Sequence, residues 1–209
     1  MLKPLQIVIY VLLTCVYFTA CKDKKIANDI IVVQPDIISN RIYMKLDKSK
    51  EPIDPWILDT TKMKPRTSDV LYISNRGSMT LSDTSYAHMN NCRAYIDSGR
   101  LKIDIGSHGM FGGHGFDIIC TKNKYTIIPY LYNDQPGIKK PKSTYQINSQ
   151  SLILNKAKYT LGDSIFGYVD FNLIENQQRL YNEGILIEEN KKITHIGKGY
   201  FRGKVEKSN

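Results

Sequence analysis

The residues best suited to chemistry lie in a glycine-rich stretch, residues 106–115, which contains His108 and His114. Imidazole nitrogens bind zinc and transfer protons near neutral pH, and His88 and Asp104 are near enough in sequence to add ligands. One hypothesis is therefore a zinc-assisted hydrolase that uses His108 and His114. The spacing of these two histidines matches no zinc signature, so they are weak metal candidates.

Ser107, His108 and Asp104 supply a hydroxyl, an imidazole and a carboxylate, the groups of a nucleophilic triad. Neighbouring residues along a strand point to opposite faces, which argues against convergence of these three side chains. The sequence also lacks Gly-x-Ser-x-Gly, His-Glu-x-x-His and Cys-x-x-Cys motifs. We therefore predict no catalytic residue and no cofactor, and expect the protein not to be an enzyme.

Glycine-rich stretches bind phosphate when they follow a strand and open a helix. Here residues 116–120, Phe-Asp-Ile-Ile-Cys, predict another strand instead, so a phosphate loop has no physical basis. We expect a hairpin loop, or a bulged strand that uses the positive φ accessible to glycine.

A different reactive group, the thiol of Cys21, ends the first apolar segment. Lys3 precedes an apolar run over residues 5–20 that contains no acidic residue. The run is shorter than the roughly 20 apolar residues of a spanning helix, which favours a secretory signal peptide. Phe18-Thr19-Ala20-Cys21 resembles the lipobox of bacterial lipoproteins, and this resemblance implies cleavage after residue 20 and lipidation of Cys21.

The residues that follow, Lys22-Asp23-Lys24-Lys25, are similar to the charged run behind the lipidated cysteine in surface-exposed lipoproteins of the Bacteroidota. The alternative is a solvated tether. Two or more acyl chains hold a protein stably on a bilayer. The resemblance implies an outer-membrane lipoprotein of the bacterial cell envelope, facing either the periplasm or the cell surface.

The chain has a formal net charge of +9, but its basic residues are scattered along the sequence. Nucleic-acid binding would require these residues to cluster with interleaved aromatics, so we expect no nucleic-acid partner. The charge suits anionic lipid headgroups, acidic glycans or solubility. The expected partners are the bilayer and a protein or glycan ligand that the sequence does not identify.

Two cysteines, Cys92 and Cys120, remain once the signal peptide is removed and Cys21 is lipidated. Outside the cytoplasm two such thiols can form a disulfide. The alternative is a pair of small buried side chains. Spacing alone does not decide between them, because it does not give the distance between the two Cα atoms.

Strands dominate the rest of the pattern. Residues 94–96 and 101–105 flank Asp97-Ser98-Gly99 and predict a hairpin, and residues 116–121 and 125–132 predict a second one with Asn123 in its turn. Tyrosines 125, 130 and 132 in this hairpin can stack on sugar rings, but tyrosine is also common on ordinary strands. His195, between Ile193 and Ile196, is predicted as an exposed strand residue.

Residues 159–165, Tyr-Thr-Leu-Gly-Asp-Ser-Ile, precede an alternating strand up to Leu173 and resemble the opening of immunoglobulin-like and macroglobulin-like β-sandwich domains. We predict an all-β antiparallel sandwich, as one domain or two small subdomains. The expected organisation is a signal peptide (1–20), a tether (21–50), an antiparallel β region with the glycine-rich loop (51–140) and an immunoglobulin-like β region (141–209).

The function favoured by these features is an envelope lipoprotein that serves as a non-enzymatic binding or accessory module. An immunity or inhibitor lipoprotein directed against an envelope toxin is a second version of this class. The zinc-assisted hydrolase is the enzymatic alternative. Fold and sequence pattern alone do not identify the ligand.

Overall fold

A computed structural model of the chain describes residues 29–52, 63–75, 88–109, 112–133, 142–179 and 189–208. The predicted signal peptide, Cys21 and the lysine-rich run behind it lie outside the described residues. In the part that is described, no helix is long and apolar enough to cross a membrane.

Most described residues belong to strands, which confirms the predicted all-β class. Two short helices precede most of them: a 3-10 helix (Pro35–Ser39) and α1 (Arg41–Lys48). The strands are β1 (Val32–Val33), β2 (Lys50–Pro52), β3 (Met63–Pro65), β4 (Ser68–Ser74), β5 (His88–Met89), β6 (Cys92–Asp97), β7 (Arg100–Gly109), β8 (Gly112–Thr121), β9 (Lys124–Asn133), β10 (Lys142–Leu154), β11 (Ser164–Arg179) and β12 (Glu189–Lys207).

Ten of these strands form one mixed sheet in the order β1-β10-β11-β12-β6-β7-β8-β9, with β4 pairing with β12 and β5 pairing with β4. Strand β12 joins two parts of this sheet: it pairs antiparallel with β11 and β4, and its last residues run parallel to β6. We call β6 to β9 the front layer, and β1, β10, β11, β12, β4 and β5 the back layer. Strands β2 and β3 form a separate pair.

The two layers pack face to face through aromatic side chains. Phe116 of β8 contacts Phe171 of β11, with ring centroids 4.8 Å apart, and Tyr72 of β4 lies 5.3 Å from Phe116. One hydrophobic core contains residues from β4 through β12. The fold is thus sandwich-like, and its core draws on both regions that the sequence suggested as subdomains; the suggested boundary at residue 140 lies outside the described residues.

The tether predicted over residues 21–50 is folded from Asp29 onward. Strand β1 pairs parallel with β10, and α1 begins at Asn40, whose side chain accepts a hydrogen bond from the Ile42 amide at 3.0 Å. Tyr43 and Leu46, three residues apart on one helix face, are buried. The tether prediction missed this helix because its eight residues are too short to show a clear helical period.

The two predicted hairpins are present. Ser98 and Gly99 connect β6 and β7 with φ values of 50° and 76°, the two positive angles of a type I′ turn. In the β8–β9 turn the positive φ of 58° falls on Lys122, whereas the sequence predicted Asn123 for the left-handed position. Both turns are two residues long, which sets the register of the strands that they join.

The described parts of the glycine-rich stretch belong to strands, β7 up to Gly109 and β8 from Gly112 onward. Gly106 pairs with Gly115 and His108 pairs with Gly113 across β7 and β8. A Cβ atom on Gly106 would overlap the Tyr130 hydroxyl, and one on Gly113 would approach the Tyr132 ring to 2.8 Å. The glycines therefore provide room for two tyrosine side chains that lie across the strands.

We predict that Gly106→Ala lowers the free energy of unfolding by about 1–3 kcal/mol, because the new methyl group displaces Tyr130. Gly203→Ala is the matched control, since its added Cβ would lie 3.7 Å from the nearest atom, in ordinary contact. Urea denaturation followed by circular dichroism measures both changes. Equal stability of the two variants would contradict the steric role assigned to Gly106.

Candidate functional site

The outer face of the front layer carries a group of polar and aromatic side chains that we call the His108 cluster: Asp104, His108, Tyr130 and Tyr132. Asp104 and His108 lie four residues apart on β7 and therefore share one face of the strand. Tyr130 pairs with Gly115 and Tyr132 with Gly113, so both tyrosines reach over a glycine of β8 toward β7. The two-residue turn between β8 and β9 sets the register that places the tyrosines opposite these glycines.

Hydrogen bonds connect all four side chains. The Asp104 carboxylate accepts from His108 Nε2 at 2.7 Å and from the Tyr130 hydroxyl at 2.7 Å. Because an ionised carboxylate only accepts, His108 carries a proton on Nε2, and its Nδ1 lies within hydrogen-bond distance, 3.0 Å, of the Tyr132 hydroxyl. Hydrogen bonds thus connect the Tyr132 hydroxyl, at the surface, through the His108 ring to the buried Asp104 carboxylate.

The charge of Asp104 is stabilised by these donors. Burial by itself raises the pKa of the carboxyl, but hydrogen bonds from His108 and Tyr130, with the nearby Arg93 charge, leave the pKa below its ordinary value of 3.8. Burial also raises the pKa of the Tyr130 hydroxyl, as does the Asp104 charge, so this hydroxyl remains a donor. Asp104 is therefore a fixed negative charge that is only 7% exposed.

Asp117, directly across the strand pair from Asp104, behaves differently. Burial raises the pKa of its carboxyl and the Asp104 charge adds to the rise, although Lys102 lies 2.8 Å away and opposes both effects. Two facing carboxylates thus have pKa values shifted in opposite directions. Asp104 is thus the carboxylate of the two whose ionised form is favoured by its surroundings.

The rings of the cluster form a nearly continuous aromatic surface. The His108 ring centroid lies 5.6 Å from that of Tyr130 and 6.2 Å from that of Tyr132, with interplanar angles of 25° and 34°. Tyr132 is 37% exposed, whereas Tyr130 and His108 are half-buried. Since Gly113 and Gly115 add no side chains beneath them, the rings lie low over the strands.

The candidate metal ligands are only partly brought together. His108 meets Asp104, but His114 pairs with Ser107 on the opposite face of the hairpin, and His88 lies 3.4 Å from Asp69 on the back layer. Burial lowers the pKa of His114, as does the nearby His108. Among the residues that the structure describes, no three His, Cys, Asp or Glu side chains are arranged to hold a metal ion. The zinc-assisted hydrolase stays a prediction without an assembled ligand set.

As expected, the side chains of Ser107, His108 and Asp104 do not all converge, although two of them meet. Ser107 faces away, but Asp104 and His108 are both even-numbered positions on the same strand and hydrogen-bond each other. The sequence predicts Tyr130 and Tyr132 as sugar-stacking residues or as ordinary strand residues, and it does not indicate their contacts with His108 and Asp104. The two-residue turn at Lys122-Asn123 sets the register of β8 and β9. Counting along the two strands from this turn places both tyrosines opposite glycines of β8, over which they reach toward β7.

Cys92 and Cys120 are free, buried thiols. Cys92 pairs with Ile105 and Cys120 with Leu101, so strand β7 lies between them. Two strand spacings are about 9–10 Å, which exceeds the roughly 7 Å Cα separation that a disulfide tolerates. Burial raises the pKa of both thiols, to about 12 for Cys120. In this fold the pair contributes apolar packing.

A second polar network is inside the sandwich. His195, predicted as an exposed strand residue, is 1% exposed, and its Nε2 lies 2.9 Å from Glu175 while its Nδ1 lies 2.8 Å from the Tyr72 hydroxyl. Ser143 and Gln177 also donate to Glu175, at 2.6 and 2.8 Å. The prediction was wrong because His195 and Ile193 share the inward face of β12.

No family model, curated protein or solved structure matches this chain. The functional interpretation therefore depends on the geometry of the described residues.

We predict that Asp104→Asn lowers the free energy of unfolding at pH 7 by about 1–3 kcal/mol, because the charge that orients His108 and Tyr130 is lost. The folded-state pKa of Asp104 lies below 3.8, so its stabilising effect is complete above about pH 5 and disappears as the pH falls through that folded-state pKa. The difference between variant and native protein should therefore shrink in acid, as measured by urea denaturation across this range.

Asp117→Asn is the control for this prediction. The folded-state pKa of Asp117 is raised, so its ionised form opposes folding, and the amide still accepts from Lys102. We expect a small change or a gain in stability at pH 7. An Asp104→Asn deficit that stays constant in acid would contradict the role of the Asp104 charge.

Proposed function

We propose that the protein is an envelope lipoprotein whose sandwich is a non-enzymatic binding module, and that the His108 cluster is its binding surface. The observation that carries this proposal is the aromatic surface of His108, Tyr130 and Tyr132 over a floor of glycines. Its ligand is a protein or a glycan of the envelope.

The glycine floor supports a binding role. Glycine weakens a strand interior, because it adds backbone entropy to the unfolded chain and contributes no packing. An outward sheet face needs only polar residues to be stable, so three glycines beneath two tyrosines exceed what folding requires. Departures from local preference of this kind concentrate at functional sites.

The ring surface also has the chemistry of recognition. Tyrosine combines a large apolar face with a hydroxyl and loses little conformational entropy when it is already held, which explains its enrichment in binding interfaces. Here Asp104 holds Tyr130, and His108 holds the Tyr132 hydroxyl. The surface is thus preorganised for contact, because its polar atoms bond to one another.

The anchor proposal is supported by the lipobox at Phe18-Thr19-Ala20-Cys21 and by where the folded chain begins. Asp29 accepts a hydrogen bond from the Tyr125 amide at 2.9 Å, next to the start of β9. Seven residues separate Cys21 from Asp29 and span at most about 25 Å. The anchored end of the module is therefore the end where β9 begins.

The His108 cluster lies toward the other end of the same strand. From Tyr125 to Tyr132, strand β9 advances by about 23 Å, at roughly 3.3 Å per residue. A module attached at the start of β9 would present the cluster away from the point of attachment. This separation leaves the ring surface accessible to a ligand when the chain is anchored.

We predict that the chain incorporates a palmitate analogue in its native bacterial envelope and that Cys21→Ala abolishes the incorporation, because Cys21 is the cysteine that ends the lipobox-like residues 18–21. Cys92→Ala is the matched control and should label normally, since Cys92 is buried in the sandwich. Gel fluorescence of the clicked analogue measures both. Undiminished labelling of the Cys21→Ala protein would refute the anchor.

We predict that the Tyr132→Ala protein no longer binds at least one envelope component that the native protein retains, because the exposed ring of the cluster is lost. Tyr132→Phe should retain that component if the ring face makes the contact. Thr126→Ala, on the same strand and exposed on the same face, is the control. Immobilised proteins exposed to envelope extracts, followed by mass spectrometry and glycan analysis, give the comparison.

Identical retention by the native protein, Tyr132→Ala and Thr126→Ala, with all three folded by circular dichroism, would show that the His108 cluster is not the binding surface.

A further inference from the structure

The back layer carries a second surface feature, a groove between the 3-10 helix and the outer face of β10, β11 and β12. Its volume is about 380 Å³, within the range of small-molecule sites. The N-terminal segment that the sequence assigned to a tether forms one wall. The groove lies on the opposite layer from the His108 cluster and is independent of it.

The floor of the groove is a cross-strand row of three side chains. Ile153, Tyr168 and Tyr200 are direct neighbours in the register of β10, β11 and β12. The two tyrosine rings lie 4.8 Å apart at an angle of 54°. Both are half-buried, so each is packed on one side and open toward the groove.

Neighbouring groups hold these rings in place. The Tyr168 hydroxyl donates to Asp170 at 3.3 Å, and Lys198 pairs with the same carboxylate at 3.2 Å. Tyr43 of α1 packs edge-on against Tyr200, with centroids 6.2 Å apart, and its hydroxyl is bonded to the Gly167 carbonyl at 3.1 Å. The aromatic floor is therefore preorganised, which lowers the entropy lost on binding.

The wall of the groove is polar. Gln34, Asp36, Ser39 and Asn40 line it, and the first three are exposed. The Gln34 side chain makes no capping bond to the 3-10 helix, and Asn40 uses only its Oδ1 atom to cap α1, which leaves its amide group as a donor. Amides, a hydroxyl and a carboxylate thus face an aromatic floor.

Backbone contacts hold this wall against the sheet. The Gln34 amide donates to the Leu154 carbonyl at 2.9 Å, and Val32 pairs with Ile153 in the parallel ladder. Ile37, which is 6% exposed, anchors the 3-10 helix on the sheet. The groove is consequently part of the fold and does not depend on ligand binding to form.

The chemistry of the lining selects among ligands. Its charged group is the Asp36 carboxylate, with no lysine or arginine among the described lining residues, which disfavours phosphate and other anions in an otherwise basic protein. Tyrosine faces accept the C–H face of a pyranose ring. Amide, hydroxyl and carboxylate groups match the donors and acceptors of sugar hydroxyls.

We infer that this groove binds a neutral saccharide unit, with the ring stacked on Tyr168 and Tyr200 and its hydroxyls bonded to Gln34, Asp36 and Asn40. The inference does not require the His108 cluster to bind anything. A sugar site on the back layer would give the module a second, chemically defined contact with the envelope.

The test is saturation-transfer difference NMR on the full chain in phosphatidylglycerol vesicles, with empty vesicles as the blank. The probes are D-glucose, D-galactose, D-mannose and N-acetyl-D-glucosamine, with tetramethylammonium as a cationic probe. We expect at least one sugar to bind with a Kd of about 1 mM and to receive saturation at its ring C–H protons.

Tyr200→Ala and Asp36→Asn should each weaken that sugar by about tenfold, the first by removing the stacking face and the second by removing a charged acceptor. Tyr95→Ala on the front layer is the matched control and should bind unchanged. Tyr168→Phe keeps the aromatic ring and should still bind the sugar by stacking. It changes the floor of the groove without the risk of unfolding that removal of a ring carries.

Absence of saturation transfer to all four sugars would overturn the inference, as would sugar binding that survives both Tyr200→Ala and Asp36→Asn. Binding of tetramethylammonium without any sugar would also overturn it, because the groove would then be a cation site. Retention of envelope components through Tyr132 is unaffected by these outcomes, so the two proposals fail separately.

Discussion

The front layer is organised around the charge on Asp104. A carboxylate that is 7% exposed on a sheet face is unstable unless donors replace its lost water. His108 and Tyr130 supply those donors, and Tyr130 reaches the carboxylate only because Gly106 and Gly115 have no side chains in its path. The placement of Tyr130 over Gly106 and Gly115 follows from this one requirement, whereas that of Gly113 beneath the exposed Tyr132 ring does not.

The back layer also contains a buried carboxylate that needs hydrogen-bond donors, in a site with less access to solvent. Glu175 and His195 are 2% and 1% exposed, and Tyr72, Ser143 and Gln177 complete their hydrogen bonds. A buried pair of this kind is weak evidence for stability, since desolvation offsets its attraction. A shifted register would leave its members unpaired, so the network favours one alignment of β4, β11 and β12. The His108 cluster, in contrast, is open to solvent on one side and can make outside contacts.

Sequence periodicity predicted the parts of this structure that depend on neighbours along the chain. Alternation over residues 101–105 correctly identified a hairpin strand with a buried face, and Asp97-Ser98-Gly99 correctly identified its turn. The His108 cluster depends instead on the register between strands, which brings Tyr130 to Asp104 across 26 residues. Composition and periodicity do not contain that register. The residue type of His195 misled the assignment of its face, although the period of two already placed it beside Ile193.

The segment from Asp29 to Lys48 illustrates a further limit of pattern reasoning, because its mixture of charged and apolar residues has no clear period and favours a tether. Ile37, Tyr43 and Leu46 are nevertheless buried, whereas the neighbouring Ile38 and Met44 are exposed, so residue type alone does not show which apolar side chains contact the sandwich. Their burial places the 3-10 helix and α1 over Tyr168 and Tyr200, which would otherwise be an open aromatic sheet face. The same three contacts therefore create the groove, and they hold the segment from Asp29 to Lys48 against the back layer. A flexible tether in this position would leave the groove without its polar wall.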